Sequence, residues 1–446
     1  MALGATLCGP TVTQLLSLGA AMSLLAQLTD DPWSGVSPSV YETGRLVALA
    51  PWLKGHEARV RYLETTQHPD GTWGGPGEYA LVPTLSAVDA LQDHPAARRG
   101  LLALRKLLSL PLKLPDTVAV ELIVPALADR LGLRTPFDPR PLHALRQRPL
   151  PEKLWHTLEV FGPRPEVRAV DGIVAASPAA TAVQLQGPRP GPSLDYLEAV
   201  QRRHGGPVPA GVPVPLFERS WIIVALKSAG LDVPDPMAGQ IRAAFTRDGA
   251  AGGPGLPADA DDTATALHAL ALCDSPRPTD ALGRYREARH FACFPNERTP
   301  STSTNAHALQ ALGHDRVLEE WLRDMQQPGG FWLDKWHASP YYATACVTNA
   351  LRGNEKAVDW VLRTQQADGS WGRWEGTYEE TAYAIRILSH SRRDVSRAMV
   401  RGANFMQEWG DRPHPPLWHD KDLYAPTRII QAEGTAAFHL ACAVCR

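Results

Sequence analysis

Gln365-Gln366-Ala367-Asp368-Gly369-Ser370-Trp371 repeats the Gln, Asp, Gly and Trp of Gln67-His68-Pro69-Asp70-Gly71-Thr72-Trp73 at the same spacing. A third copy, Gln326-Gln327-Pro328-Gly329-Gly330-Phe331-Trp332, keeps the frame and puts Gly where the others carry Asp. Recurrence of one short unit implies stacked helical elements, an all-α array. The residue types suit a tight turn: Gly permits the backbone reversal, the Gln amide satisfies backbone groups that a helix end leaves unpaired, and the Trp covers the turn. These residues are read as structural. One copy stands alone near the N-terminus and two crowd the C-terminal half, which favours two α/α barrels over a solenoid whose repeats recur throughout.

The flanking sequence agrees. Leu194 to Ala199, Ser220 to Ala229, Thr263 to Leu272, Asn305 to Leu312, Arg316 to Met325 and Thr381 to Ser389 carry apolar residues at helical spacing, and alternating strand patterns are scarce. Pro and Gly gather between them, as in Pro207 to Pro215 and Gly249 to Pro257. With 446 residues there is chain for two or three domains, and a net charge of −2 lacks the surplus that nonspecific nucleic-acid binding needs. Six scattered cysteines read as reduced thiols in a cytoplasmic protein, and the lone Cys442-x-x-Cys445 pair as small core residues rather than a zinc site. The first 29 residues carry no charge. They lack the basic start of a signal peptide, and Leu15, Leu18, Met22, Leu25 and Leu28 mark a half-buried amphipathic helix, compatible with weak membrane association but not with a span.

The chemical signal is Pro257-Ala258-Asp259-Ala260-Asp261-Asp262-Thr263, at the start of a helix-like run. An acidic cluster there commonly caps the helix or lies solvated in a turn. Its small, apolar surroundings also allow it to enter a cavity, where three neighbouring carboxylates cannot all ionise and the group holds a proton. The helix N-terminus stabilises the anion left on proton release, so such a cluster suits protonation of an alkene in a dry pocket.

The Asp-x-Asp-Asp-Thr run and the Gln/Trp turns together resemble the class II terpene cyclases, above all bacterial class II diterpene cyclases of the copalyl diphosphate synthase type. Further stretches carry the resemblance along most of the chain: Asp70 to Leu85, Trp155-His-Thr-Leu-Glu159, Asp171 to Thr181, Pro215 to Arg219, Glu297 to Pro300, Thr304-Asn-Ala-His307 and Trp418-His-Asp-Lys-Asp-Leu-Tyr424. It implies two α-barrel domains, at 33–239 and 240–446, the second completed by an N-terminal helix over 1–32, with the active site between them. It also implies cyclisation of geranylgeranyl diphosphate to a bicyclic labdane-type diphosphate, the diphosphate retained for a downstream class I terpene synthase.

By the same resemblance, Asp261 is the general acid, with Asp259 and Asp262 shaping its acidity. Asn305 hydrogen-bonds that acid, or else caps its own helix. Trp332, Trp336, Tyr341, Tyr342, Trp374 and Tyr378 are the aromatic candidates for stabilising the migrating cation. His156 matches the histidine of the terminating base in plant relatives, whereas Gly205-Gly-Pro-Val-Pro-Ala210 lacks the accompanying Asn. Glu78 is the expected ligand of Mg²⁺, and Arg298, Lys335 and Lys421 are charge partners for the diphosphate. Class I chemistry is not expected, because Asp261-Asp262-Thr263-Ala264-Thr265 lacks a third acid. The alternatives are farnesyl diphosphate giving a drimane skeleton, a triterpene cyclase, which usually needs a longer chain, and a non-catalytic α/α scaffold. A glycosidase is excluded, because three carboxylates within one turn are too close for its chemistry.

Overall fold

The computed structural model describes residues 19–28, 31, 33–111, 113–297 and 299–444. Among these, the extended pieces are the two-residue strands Trp418–His419 and Leu423–Tyr424, paired antiparallel, and isolated bridges; the rest of the regular structure is helical.

The three repeated turns share one hydrogen-bond plan. The Gln67 amide donates to Gly71 O at 3.0 Å and to Ala96 O at 2.9 Å; the Gln365 amide donates to Gly369 O and Ala398 O, both at 2.9 Å. Gln326 reaches Gly330 O and the capping Asn354 in the same way. Each amide thus ties its turn to the N-terminal end of the second α-helix that follows it, Pro95–Ser109, Glu355–Thr364 or Ser396–Trp409. Trp73, Trp332 and Trp371 are fully buried, and their indoles donate to Leu63 O, Leu322 O and Val361 O at 2.6–2.7 Å. A partner that spacing alone did not reveal completes the unit: Thr84, Thr344 and Thr381 accept from the backbone N–H of the three tryptophans.

The apolar interior falls into several clusters. One runs from Leu216 to Ala441 and takes in Ala21, Leu24, Leu25 and Leu28; three others draw on residues 40–212, and a small one joins Tyr79 to Ala338 and Leu423. The C-terminal core therefore begins upstream of residue 240, because Leu216, Trp221, Ile222, Ile223 and Leu226 of helix Pro215–Ser228 pack into it.

Residues 19–28 form a helix, but its buried face differs from the expected one. Ala21 and Leu24 are buried with Leu25 and Leu28, whereas Met22 is 71% exposed; Leu15 and Leu18 lie outside the described residues. No helix among the described residues is long and apolar enough to cross a membrane. Cys442 is buried, and Cys445 lies outside the described residues.

Trp418 to Ala425 runs along the seam between the halves. Ser37 N–H donates to Ala425 O at 3.0 Å, and the Ser39 hydroxyl to Asp422 at 2.6 Å. Lys421 reaches Glu42 at 2.8 Å and Glu159 at 3.1 Å.

Candidate active site

A cavity of about 220 Å³ takes its walls from both halves of the chain: Val118, Lys153, His156, Ala176 and Gly211 from one, and the acid cluster with Phe217, Trp221, Phe294, Trp336, Trp418 and Tyr424 from the other. The acids enter it because of how their helix starts. Asp259 is the N-cap of helix Ala260–Leu272, its carboxylate accepting the Asp262 N–H at 2.8 Å. Asp261 and Asp262 then fall in the first turn and also line the cavity. The capping residue Asp259 is thus itself a member of the cavity-lining cluster.

Burial, reinforced by Asp262 and Asp261, holds the Asp259 carboxyl well above the usual carboxylate range. Burial and then Asp261 push Asp262 up to about 7. The cluster therefore retains protons at neutral pH, as a coupled group.

Asp261 Oδ1 lies 2.7 Å from Nδ1 of His307. Burial alone would favour the neutral imidazole, but the Asp261 carboxylate and the Cys346 side chain raise His307 to about 10. This overturns the expectation for Asn305. Its amide donates to Phe291 O and Ser301 O, and its oxygen accepts from Phe291 N–H, while Ser301 caps helix Thr302–Leu312. At about 100° per residue, positions 305 and 307 project to different sides of the helix, and the side facing the acid is that of His307.

On another part of the wall, His156 Nδ1 lies 2.7 Å from Ala175 O and Nε2 2.8 Å from Asp420 Oδ1. A carbonyl only accepts, so Nδ1 carries a hydrogen, and with the carboxylate beyond Nε2 the ring is a double donor. Burial opposes that charge, but Asp420 outweighs it and raises His156; in return His156 holds Asp420 below its ordinary value despite burial. The basic lone pairs of this pair belong to Asp420, whose Oδ2 approaches the open face of Gly211.

No protein-family model matches the chain. Relatives do. The chain is 45% identical to an ent-copalyl diphosphate synthase of Streptomyces sp. (strain KO-3988), over 96% of this chain and 97% of that one. It is 37% identical to a labda-7,13-dienyl diphosphate synthase of Streptomyces clavuligerus, over 94% and 92%. The chain belongs to the copalyl diphosphate synthase family of bacterial class II diterpene cyclases. The structure agrees: it matches the ent-copalyl diphosphate synthase from Streptomyces platensis with a TM-score of 0.89, 41% identity and coverage of 96% and 99%. The ent-copalyl diphosphate synthase from Arabidopsis thaliana, at 19% identity and a TM-score of 0.63 over 95% of this chain and 63% of that one, shares the fold.

Within this family fold several expected residues stand elsewhere. Lys421 is fully buried against Glu42, Glu159 and Ser177, so it holds the seam together and is closed to a diphosphate. Lys335 pairs with Glu297 and donates to Thr299 O. Arg298 lies outside the described residues. Lys153 is the Lys or Arg that lines the cavity among the described residues, and it is exposed. Of the aromatic candidates, Trp336 lines the cavity. Tyr342 lies one layer back, its hydroxyl accepting from the Trp221 indole at 3.2 Å. Trp332 covers its turn, Tyr341 packs on Trp360, and Tyr378 packs against Trp409 and His414. Trp374 is 41% exposed under the Arg373 guanidinium.

Glu78 is part-exposed, 3.9 Å from Arg373. It is joined to the cavity through its neighbour Tyr79, whose hydroxyl lies 3.1 Å from Nε2 of the lining His419. No group of three His, Cys, Asp or Glu side chains able to hold a metal occurs among the described residues. One accessible carboxylate fits Mg²⁺, which is commonly held through substrate phosphates and water rather than by an all-protein cage.

Proposed function

We propose that the protein cyclises geranylgeranyl diphosphate to a bicyclic copalyl-type diphosphate by protonating the terminal alkene, with the diphosphate retained. The observation that carries this reading is Asp261, in a cavity with Phe217, Trp221, Trp336 and Trp418 in its walls, bonded to a cationic His307. A proton on the free oxygen of Asp261 is delivered to the alkene carbon. The carboxylate left behind is stabilised by the His307 imidazolium and by the helix N-terminus.

The cation then moves along the folded chain past the faces of Phe217, Trp221, Trp336 and Trp418, which attract it and exclude water. Asp420 takes the final proton, directly or through a water, with His156 orienting its carboxylate. Lys153 anchors the diphosphate at the cavity wall. Mg²⁺, held at Glu78, would neutralise charge on the diphosphate. Because no step breaks the carbon–oxygen bond of the diphosphate, the product suits a downstream class I synthase.

Incubating the protein with C15 and C20 linear diphosphates and Mg²⁺, then dephosphorylating and analysing by mass spectrometry, tests this. A bicyclic C20 alcohol is expected. A cyclised C15 alcohol alone would move the assignment to a drimane-forming enzyme, and intact linear alcohols from both would overturn it.

A further inference from the structure

Behind the cavity wall lies a charge that the steps above do not use. Glu379, in the first turn of helix Tyr378–Leu388, is 1% exposed. Its Oε1 accepts from the Trp418 indole N–H at 2.6 Å and the Tyr383 hydroxyl at 2.9 Å, and lies 3.2 Å from His337 Nε2. Nδ1 of His337 accepts the Ser339 N–H at 3.0 Å, which makes Nε2 the protonated nitrogen and His337 a neutral donor. Every group around Oε1 donates and none accepts, which suits an acceptor-only carboxylate. The other oxygen, Oε2, is buried without a hydrogen-bond partner.

This carboxylate has no counter-cation. None of its three donors is charged, and no Lys or Arg among the described residues pairs with it. Arg386, on the same helix, is engaged by Glu433 at 3.0 Å. One uncompensated negative charge therefore sits behind Trp418, a ring that lines the cavity and packs 5.7 Å from Phe217 and 4.7 Å from Tyr342. Leaving a buried anion unpaired is costly for folding, and that cost has a use where a cation must cross a dry pocket.

We propose that Glu379 is a positioning residue for the cyclisation: its carboxylate, bonded to the edge of the Trp418 indole, makes that aromatic face more negative and stabilises the carbocation passing it. Accepting the indole N–H pushes electron density into the ring, and the residual charge acts through a poorly screening interior. The uncharged prenyl tail of the substrate feels neither effect strongly, so the stabilisation is felt at the transition state and appears in kcat. The inference rests on the cyclase reading above.

The test compares wild type with Glu379→Gln, using two probe pairs. Each pair is an amine analogue of the linear C20 diphosphate and its uncyclisable all-carbon counterpart. The protonated nitrogen stands at the terminal branched carbon in one pair and at the carbon that finally loses its proton in the other. For at least one pair, wild type is expected to prefer the amine, and that preference to fall about tenfold in E379Q, with kcat down about 10- to 100-fold and KM changed less than about threefold.

An unchanged preference for both amines in folded E379Q overturns the proposal, since a merely structural glutamate would weaken amine and carbon probes alike. Should E379Q not fold, Glu379→Met is measured in its place, because apolar replacement of a buried charge is often tolerated. If neither variant folds, Glu379 belongs to the fold and the proposal falls. Absence of any cyclised product from wild type sinks the cyclase reading itself, whereas wild-type turnover with an unaltered amine preference sinks only the role of Glu379.

Discussion

The acid site is a matter of single side chains and their neighbours. Asp261→Asn is expected to lower cyclisation by at least about 10²-fold while leaving the melting temperature near that of wild type, because it removes a transferable proton from a site that already tolerates neutral carboxyls. The same variant has a spectroscopic consequence. His307, raised to about 10 chiefly by Asp261, should titrate near that value in wild type; in Asp261→Asn burial is opposed by the Cys346 contact without the carboxylate, and NMR should find His307 well below its wild-type value. The linkage has a definite sign. A folded-state value above the unfolded one gives stability that is complete below about pH 6.5 and is lost as pH rises toward 10, so wild type should lose stability across that window more steeply than His307→Gln. At the other end of the reaction, Asp420→Asn should still consume substrate but shift the product toward water-captured or rearranged bicycles, read by mass spectrometry. The aspartates were legible in the sequence because their spacing is itself the motif. His307 stood in a stretch already singled out, yet which of Asn305 and His307 faces the acid depends on helix rotation against a neighbouring element.

Each repeated turn behaves as one element, and its parts carry testable weight. Thr381→Val leaves the Trp371 N–H without its acceptor in a fully buried site, and about 1–3 kcal/mol of destabilisation is expected from denaturant unfolding. Gly369→Ala should cost at least as much, because φ is +97° and a Cβ there would stand 2.7 Å from Arg401 O. The Gln, Gly and Trp of these turns could be read from spacing, since they lie within one loop. Their threonine partners could not, because they sit on the following helix at offsets that differ from copy to copy. The apolar pattern covers only part of a helix: it runs from Ser220 and Thr381, whereas helices Pro215–Ser228 and Tyr378–Leu388 start earlier. A helix opens on proline and capping residues, which carry no apolar period.

Across the whole molecule, the seam is held by charge buried where the halves meet. Lys421→Met leaves Glu42 and Glu159 as buried, unpaired carboxylates, and about 3–5 kcal/mol of stability should be lost in thermal or denaturant unfolding. Adding Glu42→Gln and Glu159→Gln should recover part of it. From residue types the lysine looked like a diphosphate ligand, because a sequence shows that a residue is cationic but not whether water or ligand can reach it. The linear order of residues settled what is periodic or contiguous: an all-helical chain, turns built on Gln, Gly and Trp, and an acidic triplet at a helix start. Which cations are sealed in the seam, which aromatics face the cavity, and which histidine meets Asp261 are relations between residues far apart in the chain. They are set by how the helices rotate and pack, and only the folded arrangement contains them.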